Sequence, residues 1–119
     1  MLNLDTHILL YALSGKVTRH EKAVLARHQW GISSIVLWEI AKLSQKGRIT
    51  VGLNSPALVH RLAKIEIWPV SREVCLNLAA LDFQSDPADE LVAATSLAYQ
   101  VPLITRDRRI RASKLLKFL

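Results

Sequence analysis

Met1-Leu2-Asn3-Leu4-Asp5-Thr6-His7 begins with an apolar stretch that stops at a carboxylate, and Pro102-Leu103-Ile104-Thr105-Arg106-Asp107 repeats the arrangement near the other end. Each reads as a short buried strand with an aspartate just past its carboxyl end, the edge at which open α/β sheets bind ligands. Between them the pattern predicts further strands at residues 30–33 and 65–70, the latter short or at an edge because Pro69 cannot complete a ladder. Helices are expected over 6–13, 18–28, 34–45, 55–64, 71–81, 86–100 and 107–113, and a last edge strand over 115–119. Gly47 suits the left-handed turn that ends the third helix, and Asp86-Pro87-Ala88-Asp89 is a strong helix start with Asp86 as N-cap. Strands alternating with helices imply an α/β fold whose mainly parallel central sheet is flanked by helices on both faces.

The 119 residues, half of them hydrophobic, suit one domain over 1–119 with one sizeable core. A single cysteine excludes an internal disulfide framework and favours a reducing compartment, so a cytoplasmic address is expected. No apolar run approaches the length of a membrane span, and the N-terminus lacks the pattern of a signal peptide. The net charge of +6 is concentrated at the end of the chain, where Arg106, Arg108, Arg109, Arg111, Lys114 and Lys117 surround Asp107. Such a cluster is either a solvated face or a phosphate-binding one, and its adjacency to Asp107 favours phosphate.

Asp5, Glu39, Asp89 and Asp107 are the candidate site. Glu39 interrupts the apolar run Ile35-Val36-Leu37-Trp38 and Ile40-Ala41, where an unpaired carboxylate is costly. Four gathered carboxylates repel one another unless protons, basic side chains or cations compensate. Mg²⁺ or Mn²⁺ suits hard oxygen ligands and bridges to phosphates, so phosphodiester hydrolysis is the natural reaction. Each acid also has a local explanation. Asp5 and Asp107 can cap the helices that follow them, Asp89 can belong to the Asp86 helix start, and Glu39 can pair with a buried arginine.

The remaining candidates read as structural. His7 fits a partly buried histidine, although it can contact substrate or a carboxylate. The four histidines lack zinc-ligand spacing. Cys75 reads as a small buried hydrophobe, and Trp30, Trp38 and Trp68 as core residues rather than base-stacking platforms.

Taken in order, Leu4-Asp5-Thr6-His7-Ile8-Leu9-Leu10-Tyr11, Ser33-Ser34 with Leu37-Trp38-Glu39-Ile40-Ala41, Lys46-Gly47-Arg48-Ile49, Asp86-Pro87-Ala88-Asp89 and Pro102 to Asp107 resemble the motifs of a PIN-domain ribonuclease of the VapC toxin type. The resemblance spans nearly the whole chain. It implies a PIN-like α/β/α fold, an acidic metal site of Asp5, Glu39, Asp89 and Asp107, and Thr6 and Thr105 as supporting hydroxyls. It also implies an RNA substrate, a homodimer, and an antitoxin seated in a groove, here expected around Trp30 to Leu43. One departure is Glu90, where the close family often carries arginine after the third acid. A catalytically impaired PIN-like RNA-binding or complex-forming module is therefore the alternative to a metal-dependent endoribonuclease. An aspartyl-phosphate phosphotransferase fits less well, because His7 stands where its second aspartate is usual.

Overall fold

The computed structural model describes residues 1–119, and its centre is the opening stretch of the chain. Leu2–Leu4 (β1) is buried at every position and lies between Trp30–Ser33 (β2) and Leu103–Ile104 (β4), with Glu66–Trp68 (β3) beyond β2. All three pairings are parallel, which requires a crossover between each pair of strands joined in sequence. Thr6–Ser14 (α1) and Arg19–Arg27 (α2) carry the chain from β1 to β2, and Ile35–Gln45 (α3) and Pro56–Leu62 (α4) carry it to β3. Arg72–Leu76 (α5), a 3-10 turn at Asn77–Ala80 and Pro87–Tyr99 (α6) then return it past β2 to the other side of β1, before Arg108–Arg111 (α7). Right-handed crossovers place the first two connections on one face and the return on the other. The direction of strand addition reverses between β1 and β4, and the crevice at their carboxyl ends is a topological switch point.

Asp5 caps α1 by accepting from Thr6 N–H at 2.8 Å, and Gly15 ends the helix in the left-handed region at φ 70°. Gly47 (φ 67°) does the same after α3, as its sequence context implies. The core joins Leu2, Leu4 and Ile32 from the sheet to Ile8, Leu9, Val36, Ile40, Leu58 and Val92 from the helices. Gly31 lets the Trp68 ring lie against β2, since an added Cβ would stand 2.5 Å from that ring. Trp68 in turn stacks on Tyr99 of α6, with ring centroids 5.5 Å apart.

Several expectations need correction. The helix over 71–81 is broken at Asn77, whose side-chain amide donates to Glu73 O at 2.8 Å and competes with the helical ladder. Cys75 is exposed rather than buried, because α5 is short and turns only Val74 inward. His7 is exposed as well, and Trp38 is 52% exposed, so neither is a core residue. Residues 115–119 contribute one bridge, between Leu103 and Phe118, instead of a strand. The Ser113 hydroxyl accepts from the N–H groups of Leu115 and Leu116 and bends the chain just before it.

Candidate metal centre

The switch-point crevice collects acids from three separate elements. Asp5 leaves β1, Glu39 lies on the second turn of α3, and Asp89 lies on the first turn of α6; one carboxylate oxygen from each falls within 4.8 Å of the others. Asp5 is buried, and Glu39 and Asp89 are half-buried. Hydroxyl groups orient all three. Thr105 Oγ1 donates to Asp5 Oδ2 at 2.6 Å across the crevice, Thr6 Oγ1 donates to Glu39 Oε1, and Ser85 Oγ donates to Asp89 Oδ2 at 3.1 Å. Thr6 and Thr105 therefore stand at the acids, and Ser85 joins them. Ser85 carried no signal of its own, because it precedes the helix start that drew attention to Asp86.

Burial pushes the Asp5 carboxyl above the usual carboxylate range, and the neighbouring Glu39 charge adds to this against the hydrogen bonds from Thr105 and Thr6 N–H. Burial also raises Asp89, followed by the charge of Asp5 and, more weakly, that of Asp107. No arginine or lysine neutralises the group, since the single salt bridge of the chain lies elsewhere, between Arg106 and Glu21. The buried arginine partner considered for Glu39 does not exist. Three hard oxygen donors whose mutual repulsion no arginine or lysine relieves fit a divalent cation.

Asp107 stands outside this trio. Its Oδ1 caps α7 by accepting from Arg109 and Ile110 N–H, and its own N–H donates to Thr105 Oγ1 at 3.0 Å. Asp86 occupies the N-cap position of α6, but its side chain makes no capping bond. Glu90 reaches back past that N-cap, its Oε2 accepting from Ser85 N–H at 3.0 Å, so it neither faces solvent freely nor pairs with the terminal arginines.

The basic cluster is divided by the fold. Arg106 is committed to Glu21 through Nε–Oε2 at 2.8 Å and Nη2–Oε1 at 2.7 Å, and its guanidinium lies 4.0 Å from the Tyr11 ring centre. Glu21 also completes a capping box with Thr18 at the start of α2. The Thr18-x-x-Glu21 spacing is a recognisable signal for that box. Arg111 donates to Thr105 O at 3.1 Å, whereas Arg108 and Arg109 are exposed beside Asp107. Trp30 and Leu43 line different concavities that share α1 as a wall. One of about 650 Å³ has Ala12, Leu25, Trp30 and Arg61, and one of about 510 Å³ has His7, Tyr11, Leu43 and Val51.

Comparison with known proteins gives the same architecture. Ribonuclease VapC22 of Mycobacterium tuberculosis is 27% identical over 118 residues, covering 93% of this chain and 90% of its own. The structure of VapBC2 from Rickettsia felis, bound to a DNA fragment from its promoter, is similar in fold, with a TM-score of 0.77 at 22% identity over 100% of this chain and 98% of that one. FitAcB from Neisseria gonorrhoeae is similar at a TM-score of 0.70 and 19% identity, over 100% and 97%. No helix is long and apolar enough to cross a membrane. The PIN domain profile runs from residue 3 to residue 114, through both edge strands of the crevice and every acid that enters it, and the chain belongs to the PIN-domain family.

Proposed function

We propose that this chain is a metal-dependent endoribonuclease, the toxin of a toxin–antitoxin pair, in which Asp5, Glu39 and Asp89 hold Mg²⁺ or Mn²⁺. The observation that carries the reading is the trio of carboxylates within 4.8 Å, gathered at the switch point without an arginine or lysine paired to it. When bound, such an ion supplies Lewis-acid chemistry for phosphoryl displacement. The chain's own groups orient the ligands: Thr105 and Thr6 N–H hold Asp5, Thr6 Oγ1 holds Glu39, and Ser85 holds Asp89. Asp107, committed to its cap through Oδ1, adds negative charge at the same edge and is assigned a place beyond the three ligands.

Arg108 and Arg109 project beside Asp107 and are assigned to RNA phosphates, with Arg111 next to them. Arg106 is left out because Glu21 already takes its charge. The kinship with VapC22 and the fold shared with VapBC2 support the toxin reading. Residues 1–119 act as one unit in this reading, self-associating and accepting an antitoxin in the concavities beside α1. Glu90, the feature that favoured an impaired module, is tied to the backbone of Ser85 and is not among the three gathered acids.

The test is to map the RNA ends produced by wild type and Asp5→Asn with Mg²⁺ or Mn²⁺ and with chelator. New ends should require both the metal and Asp5. Identical ends from both proteins, or ends that persist in chelator, would reject the mechanism.

A further inference from the structure

We infer that Asn3 is a positioning residue for the metal centre, setting the register of α6 on β1 so that Asp89 meets Asp5; this rests on the proposed metal-binding role of those acids. Alternation along a strand puts Asn3 and Asp5 on the same face of β1, and that face meets α6. On α6, residues 89, 92, 93 and 96 share one face at helical spacing. Asn3 connects the two faces: its Nδ2 donates to Val92 O at 3.0 Å and to Ser96 Oγ at 2.9 Å. One amide, two residues before Asp5, thus grips the helix three and seven residues beyond Asp89.

The residues of α6 that face β1 are mostly small, and the larger contacts, such as Tyr99 on Trp68, lie at its far end. Ala88, Val92, Ala93 and Ala94 are the buried apolar residues of α6, and small smooth side chains tolerate sliding more readily than interlocked large ones. Hydrogen bonds are directional and fix the position along the axis. The tolerance at the site is narrow, because Mg²⁺ demands near-ideal octahedral geometry at about 2.1 Å from its oxygens. A slide of α6 by about 1 Å would shift Asp89 against Asp5 and Glu39 by about half a metal–oxygen bond length and weaken their joint hold on an ion.

Asn3 is fully buried, yet its Oδ1 has no hydrogen-bond donor. A buried polar atom left unpaired works against folding, and an apolar residue of similar size would avoid that penalty. The unpaired Oδ1 offsets part of what the two Nδ2 bonds contribute to stability, and a register-setting role accounts for asparagine here, as a buried asparagine sets helix register in coiled coils.

The experiment measures Mn²⁺ affinity by titration calorimetry and the apo melting temperature for wild type, Asn3→Leu and Ser96→Ala. Asn3→Leu should melt no lower than wild type while binding Mn²⁺ about ten-fold more weakly, the low end of what lost outer-shell support costs. Ser96→Ala keeps the bond to Val92 and should show a smaller loss. Unchanged Mn²⁺ affinity in Asn3→Leu would overturn the inference while leaving the metal site standing. Weaker binding accompanied by a lower melting temperature in both variants would also overturn it, as general loosening. Absence of Mn²⁺ binding by wild type would remove the metal site and this inference together.

Discussion

Replacing Glu21 with glutamine removes the charge of the one salt bridge in this fold together with the oxygen that accepts from Arg106 Nε. Glutamine retains an acceptor for Thr18 N–H, so the capping box at the start of α2 survives while the pair with Arg106 loses its ionic part and its bond from Nε. The hydrogen bonds from Arg106, the largest influence, hold the Glu21 carboxyl down at about 2 from 4.5, which corresponds to at most about 3 kcal/mol. The Arg106 side chain is 39% exposed, so solvent screening leaves about 1.5 kcal/mol. For a domain of this size that lowers the melting temperature by about 6 °C at pH 7. The sign of the pH dependence follows from the depressed folded-state value. Stabilisation is complete above 4.5, the unfolded value, and fades as pH falls toward 2. Calorimetry of wild type and Glu21→Gln should show the largest gap at pH 7 and a closing gap below pH 4.5. A gap that stays constant down to pH 2.5, or no gap at pH 7, would show that the contact stabilises by packing or not at all.

The acids should behave in the opposite sense. Because burial raises Asp5 and Asp89, their ionisation opposes folding without a cation, so Asp5→Asn should melt higher than wild type in chelator and gain less from added Mn²⁺ in scanning calorimetry. Stability of the metal-free wild type should rise as pH falls from 7 toward the raised values, the reverse of the Glu21 effect, until other groups titrate. Neutralising Arg108 and Arg109 together should flatten the log–log salt dependence of binding to an uncleavable RNA by about 1.4, and neutralising Arg106 should not. An equal effect from Arg106 would return that residue to the phosphate-binding face. Glu90→Arg should tighten RNA binding at low salt with little change in Mn²⁺ affinity, while costing about 1 kcal/mol for the lost bond to Ser85 N–H. A large loss of Mn²⁺ affinity in that variant would make Glu90 a ligand.

Much of the fold was written in local order. Two apolar stretches ending in aspartate announced parallel strands with their carboxyl ends at one edge, and Pro69 correctly limited its strand to three residues at the edge of the sheet. Gly47 and Pro87 marked helix ends because their conformational restrictions act within a few residues. The approach of Asp5, Glu39 and Asp89 was suggested by charge in apolar surroundings, but their closeness depends on crossovers that no local pattern contains. Tertiary structure alone separated Asp107 from that trio and divided four similar arginines into Arg106, paired with Glu21 some 85 positions away, Arg111, bonded to Thr105 O, and Arg108 and Arg109, left without a side-chain bond. It also turned Cys75 and Trp38 outward and set Asn3 against Val92 and Ser96. A side chain's type reveals which interactions it can make, whereas its partner is chosen by packing between distant segments; the sequence therefore named the chemistry, and the fold decided which copies of it meet.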